Sequence, residues 1–154
     1  MANVNHSTLT DPYLHEPKGV ATASSSEVYV ANGSGSGAWS SQTTRSVFTV
    51  HLADLSLAEN IYCPIPFGGT VSRVTSVLEG SIAGGDVTVT VKNSSAATMG
   101  TLTVTQSGSA AGDIDSLDPS SNNTVTDNDY ILIQTNGGAS THVDFMVSVV
   151  VEHV

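Results

Sequence analysis

The chain has 154 residues, a length that suits one domain with its own apolar core and leaves little room for a second. Only 12% of its residues are charged, against about 25% in an ordinary soluble domain, and the net charge is −10. That acidity and the lack of a basic stripe exclude direct nucleic-acid binding, the single cysteine excludes an internal disulfide framework, and no apolar run reaches the ~20 residues of a membrane helix.

Residues 1–45 read as an extended N-terminal attachment arm. They hold Pro12, Pro17, the Ser24–Ser26 run and the Gly33-Ser-Gly-Ser-Gly37 run, which reads as a flexible linker. Their one short apolar alternation is Val28-Tyr29-Val30, followed by Trp39. Such a segment buries too little apolar surface to offset the ordering of its own backbone, about 1–2 kcal/mol per residue, so it is expected to take order from a partner. Met1–His6 lack a basic stretch leading into an apolar one, so no signal peptide is expected.

From residue 46 the pattern turns to period two, and 46–154 is predicted to be a β-sandwich domain. Phe48, Val50 and Leu52 alternate with polar residues, as do Val87, Val89 and Val91, then Leu102 and Val104. Val143, Phe145, Val147, Val149 and Val151 form one long apolar line. Shorter strands are predicted at 61–63, 70–78, 124–126 and 130–134, and a single helical turn fits 53–60. Turns fall at Phe67–Gly69, Ala83–Asp86, Asp118-Pro119 and Asn136–Gly138. β-branched residues alternating with hydroxyls mark half-buried antiparallel strands. The predicted fold class is all-β, an antiparallel β-sandwich or jelly-roll-like domain carrying an extended arm.

Two strands are apolar on both parities. Val71 and Val77 oppose Val74 and Leu78, and Met146 and Val150 oppose the Phe145 line. Either a bulge shifts the register or the second face is covered by another subunit; the second reading favours oligomerisation.

No catalytic constellation emerges, and the chain is expected not to be an enzyme. His6, His15, His51, His142 and His153 are scattered, with no pair at metal-ligand spacing, so no metal and no cofactor is expected; His51 and His142 read as outward-facing strand histidines. Asp113-Ile-Asp115-Ser-Leu-Asp118 and Asp127-Asn-Asp129 read as loop acids that bond turn backbone, with a calcium site as the competing reading. One Trp and three Phe leave little for a sugar-binding cleft. Cys63, without a basic neighbour, reads as a small core residue.

The segment His15-Glu16-Pro17-Lys18-Gly-Val-Ala-Thr-Ala, continued by Glu27-Val28-Tyr29-Val30-Ala-Asn-Gly-Ser-Gly-Ser-Gly-Ala-Trp39, resembles a stretch found in virion proteins of tailed bacteriophages, among them head decoration proteins, head fibres and some tail-fibre components. It covers about 25 residues. The resemblance implies a virion protein whose arm anchors a displayed β-domain to the shell or tail; with the arm-plus-sandwich layout, low lysine content and double-sided strands, the expected role is a capsid decoration, or cement, protein that binds the outer shell through its arm and stabilises neighbouring capsomers. Its partner would be the major capsid protein or another virion protein, its location the outer capsid surface after assembly in the host cytoplasm. The anchoring residues it implies are His15, Glu16, Pro17, Lys18, Val28, Tyr29, Val30 and Trp39. A homotrimer is expected, because three arms converging on one site gain avidity without strong single contacts. Nucleic acid and membrane are not expected partners. The rival reading is a tail- or head-fibre domain that binds a host receptor or glycan.

Overall fold

A computed structural model of the chain describes residues 23–34 and 37–153. They are all-β: among them there is no helix, and every strand pairing is antiparallel. The chain divides into two compact units, with the boundary between Thr43 and Thr44.

The first unit contains a hairpin of β1 (Glu27–Ala31) and β2 (Gly37–Ser41). The second, Thr44–His153, is a sandwich. Its strands are β3 (Thr44–Leu52), β4 (Asn60–Ile65), β5 (Gly69–Leu78), β6 (Val87–Lys92), β7 (Thr98–Val104), β8 (Ile114–Leu117), β9 (Thr124–Val125), β10 (Asp129–Thr135) and β11 (Phe145–His153). One sheet runs β3-β11-β5-β8, with β9 also on β5; the other runs β4-β10-β6-β7.

The pairings nest. β6 and β7 form the inner hairpin; β5 then pairs β8, β4 pairs β10, and β3 pairs β11. This long double ribbon is rolled so that β11 also meets β5 and β10 also meets β6. At the margins β3 lies against β4 and β8 against β7.

The alternating residues fill the space between the sheets. Phe145, Val147, Val149 and Val151 of β11 are buried against Val87, Val89 and Val91 of β6 and Ile131 and Ile133 of β10 in a single apolar cluster. Each such fully buried side chain contributes about 1.5–3 kcal/mol relative to exposure. Cys63 is in this cluster, as its sequence context predicts, and burial pushes its thiol pKa up to about 11.

Two register shifts decide which residues face inward. Val150 lies opposite Arg73 and Val151 opposite Val71, so Ser72 is an extra residue and both Val71 and Val74 enter the core. The parity conflict at those two valines is therefore a bulge and needs no partner. In β7, Val91 faces Gly100 and Lys92 faces Thr98, leaving Met99 extra and turned inward with Leu102. At Gly100 an added Cβ would come within 2.7 Å of the Leu117 side chain, which would have to shift where β8 closes over β7.

Two local expectations are corrected. Residues 53–60 do not form a helical turn. The Asp54 carboxylate accepts hydrogen bonds from the Ser56 amide (2.8 Å) and hydroxyl (2.6 Å), and the Leu55 amide donates to the Val143 carbonyl (3.2 Å), pulling the fully buried Leu55 into the core. Ile114–Leu117, expected as an acidic loop, is edge strand β8, flanked by charges of the kind that discourage edge pairing. The Gly33–Gly37 run, expected as a linker, falls between β1 and β2, and its residues 35 and 36 lie outside the described residues.

Candidate functional site

Of the anchoring residues expected from the sequence, His15, Glu16, Pro17 and Lys18 lie outside the described residues. Val28, Tyr29, Val30 and Trp39 all lie on the hairpin, and its register sorts them onto two faces. Tyr29 stands opposite Trp39, and the rings meet edge to face at 5.5 Å and 67°. A cross-strand aromatic pair of this geometry contributes about 0.5–1.5 kcal/mol beyond burial. Gly37 makes room for it, since a Cβ there would collide with the Val30 carbonyl and come within 2.8 Å of the Tyr29 ring.

The hairpin ends are tied by polar bonds. At its start the Ser24 amide donates to the Glu27 carboxylate (2.6 Å), and at the loop the Ser34 amide donates to Asn32 Oδ1 (2.9 Å). Val28 and Val30 occupy the other face and are exposed.

The second candidate surface is the outer face of the β3-β11-β5-β8 sheet. Strand register lays it out in rows. His51, Met146, Val77 and Ile114 form one row, Thr49, Ser148, Thr75 and Ser116 the next, and Val47, Val150 and Arg73 a third. Val47 is 61% exposed and Ile114 66%, high values for large apolar side chains on a sheet. The hydroxyl row is internally bonded through Thr49 Oγ1 and Ser148 Oγ at 3.0 Å. A shallow groove of about 560 Å³ crosses the third row between two ion pairs. In one, Arg45 Nε donates to Glu152 (2.7 Å); in the other, Arg73 donates two bonds to Asp118 (2.7 and 2.9 Å).

Arg73 holds the Asp118 carboxyl below its ordinary pKa, mainly through these hydrogen bonds. The outward parity of Val77, Met146 and Val150 was legible in the sequence. Val47 sits at the outward parity of the Phe48–Leu52 alternation, whereas the aspartates around Ile114 mask its place on a strand.

The acidic clusters are engaged separately. Asp113 accepts from the Ala110 amide (2.7 Å), and Asp127 from the Gly68 amide (2.6 Å). Asp129 accepts from the Tyr130 amide (2.8 Å), and its pKa is lowered by hydrogen bonding, to Ser94 first. Burial, then the Asp113 charge, raises that of Asp115. These are turn and strand-end roles, as the sequence reading favours.

His153 is held inside the sandwich unit: its Nδ1 donates to the Gly68 carbonyl (2.6 Å), its Nε2 meets Ser46 Oγ (3.1 Å), and its ring meets Phe67 edge to face at 5.9 Å.

No protein-family model matches the chain, and no curated protein matches it in sequence. Among the solved structures similar to it is a chain of the cyanophage Pam1 capsid asymmetric unit, 17% identical, with a TM-score of 0.43 over 73% of this chain and 85% of that chain.

Proposed function

We propose that the protein is a non-enzymatic structural component of a tailed-phage particle: a capsid decoration protein that attaches through its N-terminal segment and spans neighbouring capsomers. The observation that carries this reading is the outward apolar surface of the β3-β11-β5-β8 sheet, where Val47, Ile114 and Met146 stand exposed between self-satisfied ion pairs and hydroxyls. Large apolar residues in rows on the outside of a complete sandwich fit a surface that is covered in an assembly. The phage-like segment from His15 to Trp39 points to the kind of assembly, and β1, paired only with β2 among the described residues, offers a backbone edge for strand addition.

The low Lys and Glu content fits the same role, because Ser and Thr lose little side-chain entropy when covered. A homotrimer would bring three arms and three apolar faces to one shell position. The partner would then be the major capsid protein, on the outer surface of the virion.

The test is binding of the full chain, and of a chain lacking residues 1–45, to expanded undecorated shells. The full chain should bind and raise the shells' resistance to heat. Equal binding by the truncated chain defeats attachment through the arm, and shell labelling confined to one vertex defeats the decoration role.

One observation favours the fibre reading. Tyr62 and Tyr130 meet edge to face at 5.2 Å on the outer face of the β4-β10-β6-β7 sheet, with Tyr62 58% exposed. This is a small aromatic platform for a glycan or peptide. Saturable adsorption to host cells that is lost in Tyr62→Ala would establish it.

A further inference from the structure

Five side chains from three separate stretches of the sequence converge where three strands of one sheet end. His51 is the last outward residue of β3, Glu79 directly follows β5, and Asp144 directly precedes β11. Phe145 lies opposite both Leu52 and Leu78, and the Glu79 amide donates to the Asp144 carbonyl (3.0 Å), so the register fixes these backbones side by side. Ligand atoms of His51, Glu79 and Asp144 all lie within 4.8 Å of one another.

Asp144 is shared. Its Oδ2 is 3.3 Å from His51 Nε2 and its Oδ1 3.4 Å from His142 Nε2, while His142 Nδ1 lies 3.2 Å from Asp54. The cluster thus holds three carboxylates and two imidazoles. Among the described residues no lysine or arginine forms an ion pair with it, since Arg45 and Arg73 are engaged with Glu152 and Asp118.

We propose that His51, Glu79 and Asp144 form a binding site for a divalent transition metal of the zinc class, with His142 reaching the second oxygen of Asp144. Bond lengths of about 2.0–2.2 Å at tetrahedral angles place neighbouring ligand atoms roughly 3.3–3.5 Å apart, which is the His51–Asp144 spacing. Imidazole nitrogen among the ligands selects zinc, nickel or copper over calcium and magnesium, which take oxygen. Three protein ligands leave a position open to solvent or to a neighbouring molecule. The cation would also offset the local excess of carboxylate charge.

Titration of the untagged full chain with Zn²⁺ at neutral pH, followed by calorimetry, tests this. One Zn²⁺ should bind per chain, and Co²⁺ in its place should give the intense visible absorption of tetrahedral coordination. His51→Ala and Asp144→Asn should each weaken binding at least about tenfold. The double variant His6→Ala with His15→Ala should bind as the native chain does, and millimolar Ca²⁺ should not compete.

His51 and Asp144 lie outside the apolar core, and a metal-free thermal melt confirms that each variant is folded. Unchanged zinc affinity in folded His51→Ala and Asp144→Asn, loss only in the His6/His15 variant, or displacement by Ca²⁺ would each overturn the site.

Discussion

The two outer faces of the sandwich are built from the same kind of alternating strand, yet they differ in what they present to solvent. On the β4-β10-β6-β7 sheet the outward positions of β6 and β7 are mainly threonines, among them Thr88, Thr90, Thr101 and Thr103, with one tyrosine pair at the β4–β10 side. On the β3-β11-β5-β8 sheet they include Val47, Val77, Ile114, Met146 and Val150. Both faces close the same core, so core packing does not account for the difference. The threonine face is finished as a solvent surface, and the valine–isoleucine–methionine face is suited to being covered.

The core should tolerate substitution far less than the outer face. Phe145 is fully buried between Leu52 and Leu78, and Phe145→Ala should cost about 3–5 kcal/mol in urea denaturation. Val47→Thr and Ile114→Thr keep β-branching and change only exposed atoms, so each should fall within about 0.5 kcal/mol of the native chain. A large loss from either would mean that the outer face is needed for folding itself.

The next effect separates the two outer faces. Val47→Asp combined with Ile114→Asp should abolish self-association in sedimentation and shell attachment, with the monomer still folded. Thr101→Asp combined with Thr103→Asp, on the other sheet, should leave both intact. Equal loss from the two pairs would show that added negative charge, and not the apolar rows, decides assembly.

Much of this contrast can be read from the sequence, and the exceptions have physical causes. The period-two runs locate β3, β6 and β11, because one face of each is buried and the other carries polar residues. β8 is hidden by its own aspartates, and β2 by glycines and serines that look like a linker. The conflict at Val71 and Val74 signals a bulge or an interface, and only the register, with Ser72 extra, decides between them. The outward parity of Val77, Met146 and Val150 points correctly to a second apolar face. The His51–Glu79–Asp144 cluster is beyond any local pattern, since it exists only once three strand ends are aligned.

Cys63 tests the core in a different way. Its pKa rises from 9.0 to about 11 because burial disfavours the thiolate. A raised thiol pKa leaves the native state fully favoured below the unfolded value, and that advantage is lost as pH climbs through the native one. Stability should therefore fall above about pH 9, less so in Cys63→Ala than in the native chain once its own cavity cost is subtracted. A thiol reagent at pH 8 should label Cys63 only after denaturant is added. Fast labelling of the folded protein would place the thiol outside the core.

The smallest expected effect concerns the ion pair that rims the apolar face. Arg73 lowers the Asp118 pKa, so whatever the pair contributes is present above the ordinary carboxylate value and fades as pH falls through the native one. Both side chains are exposed, which makes the pair weak and salt-sensitive. Asp118→Asn should thus leave the denaturation midpoint at neutral pH almost unchanged and slightly flatten its fall toward acid. Its larger consequence should appear in assembly, where an unpaired Arg73 beside Val47 and Val150 meets a partner surface that the neutral pair would have admitted. If Asp118→Asn destabilised the monomer as strongly as a core truncation while leaving assembly untouched, the ion pair would belong with the core, and the outer face would lose its distinct role.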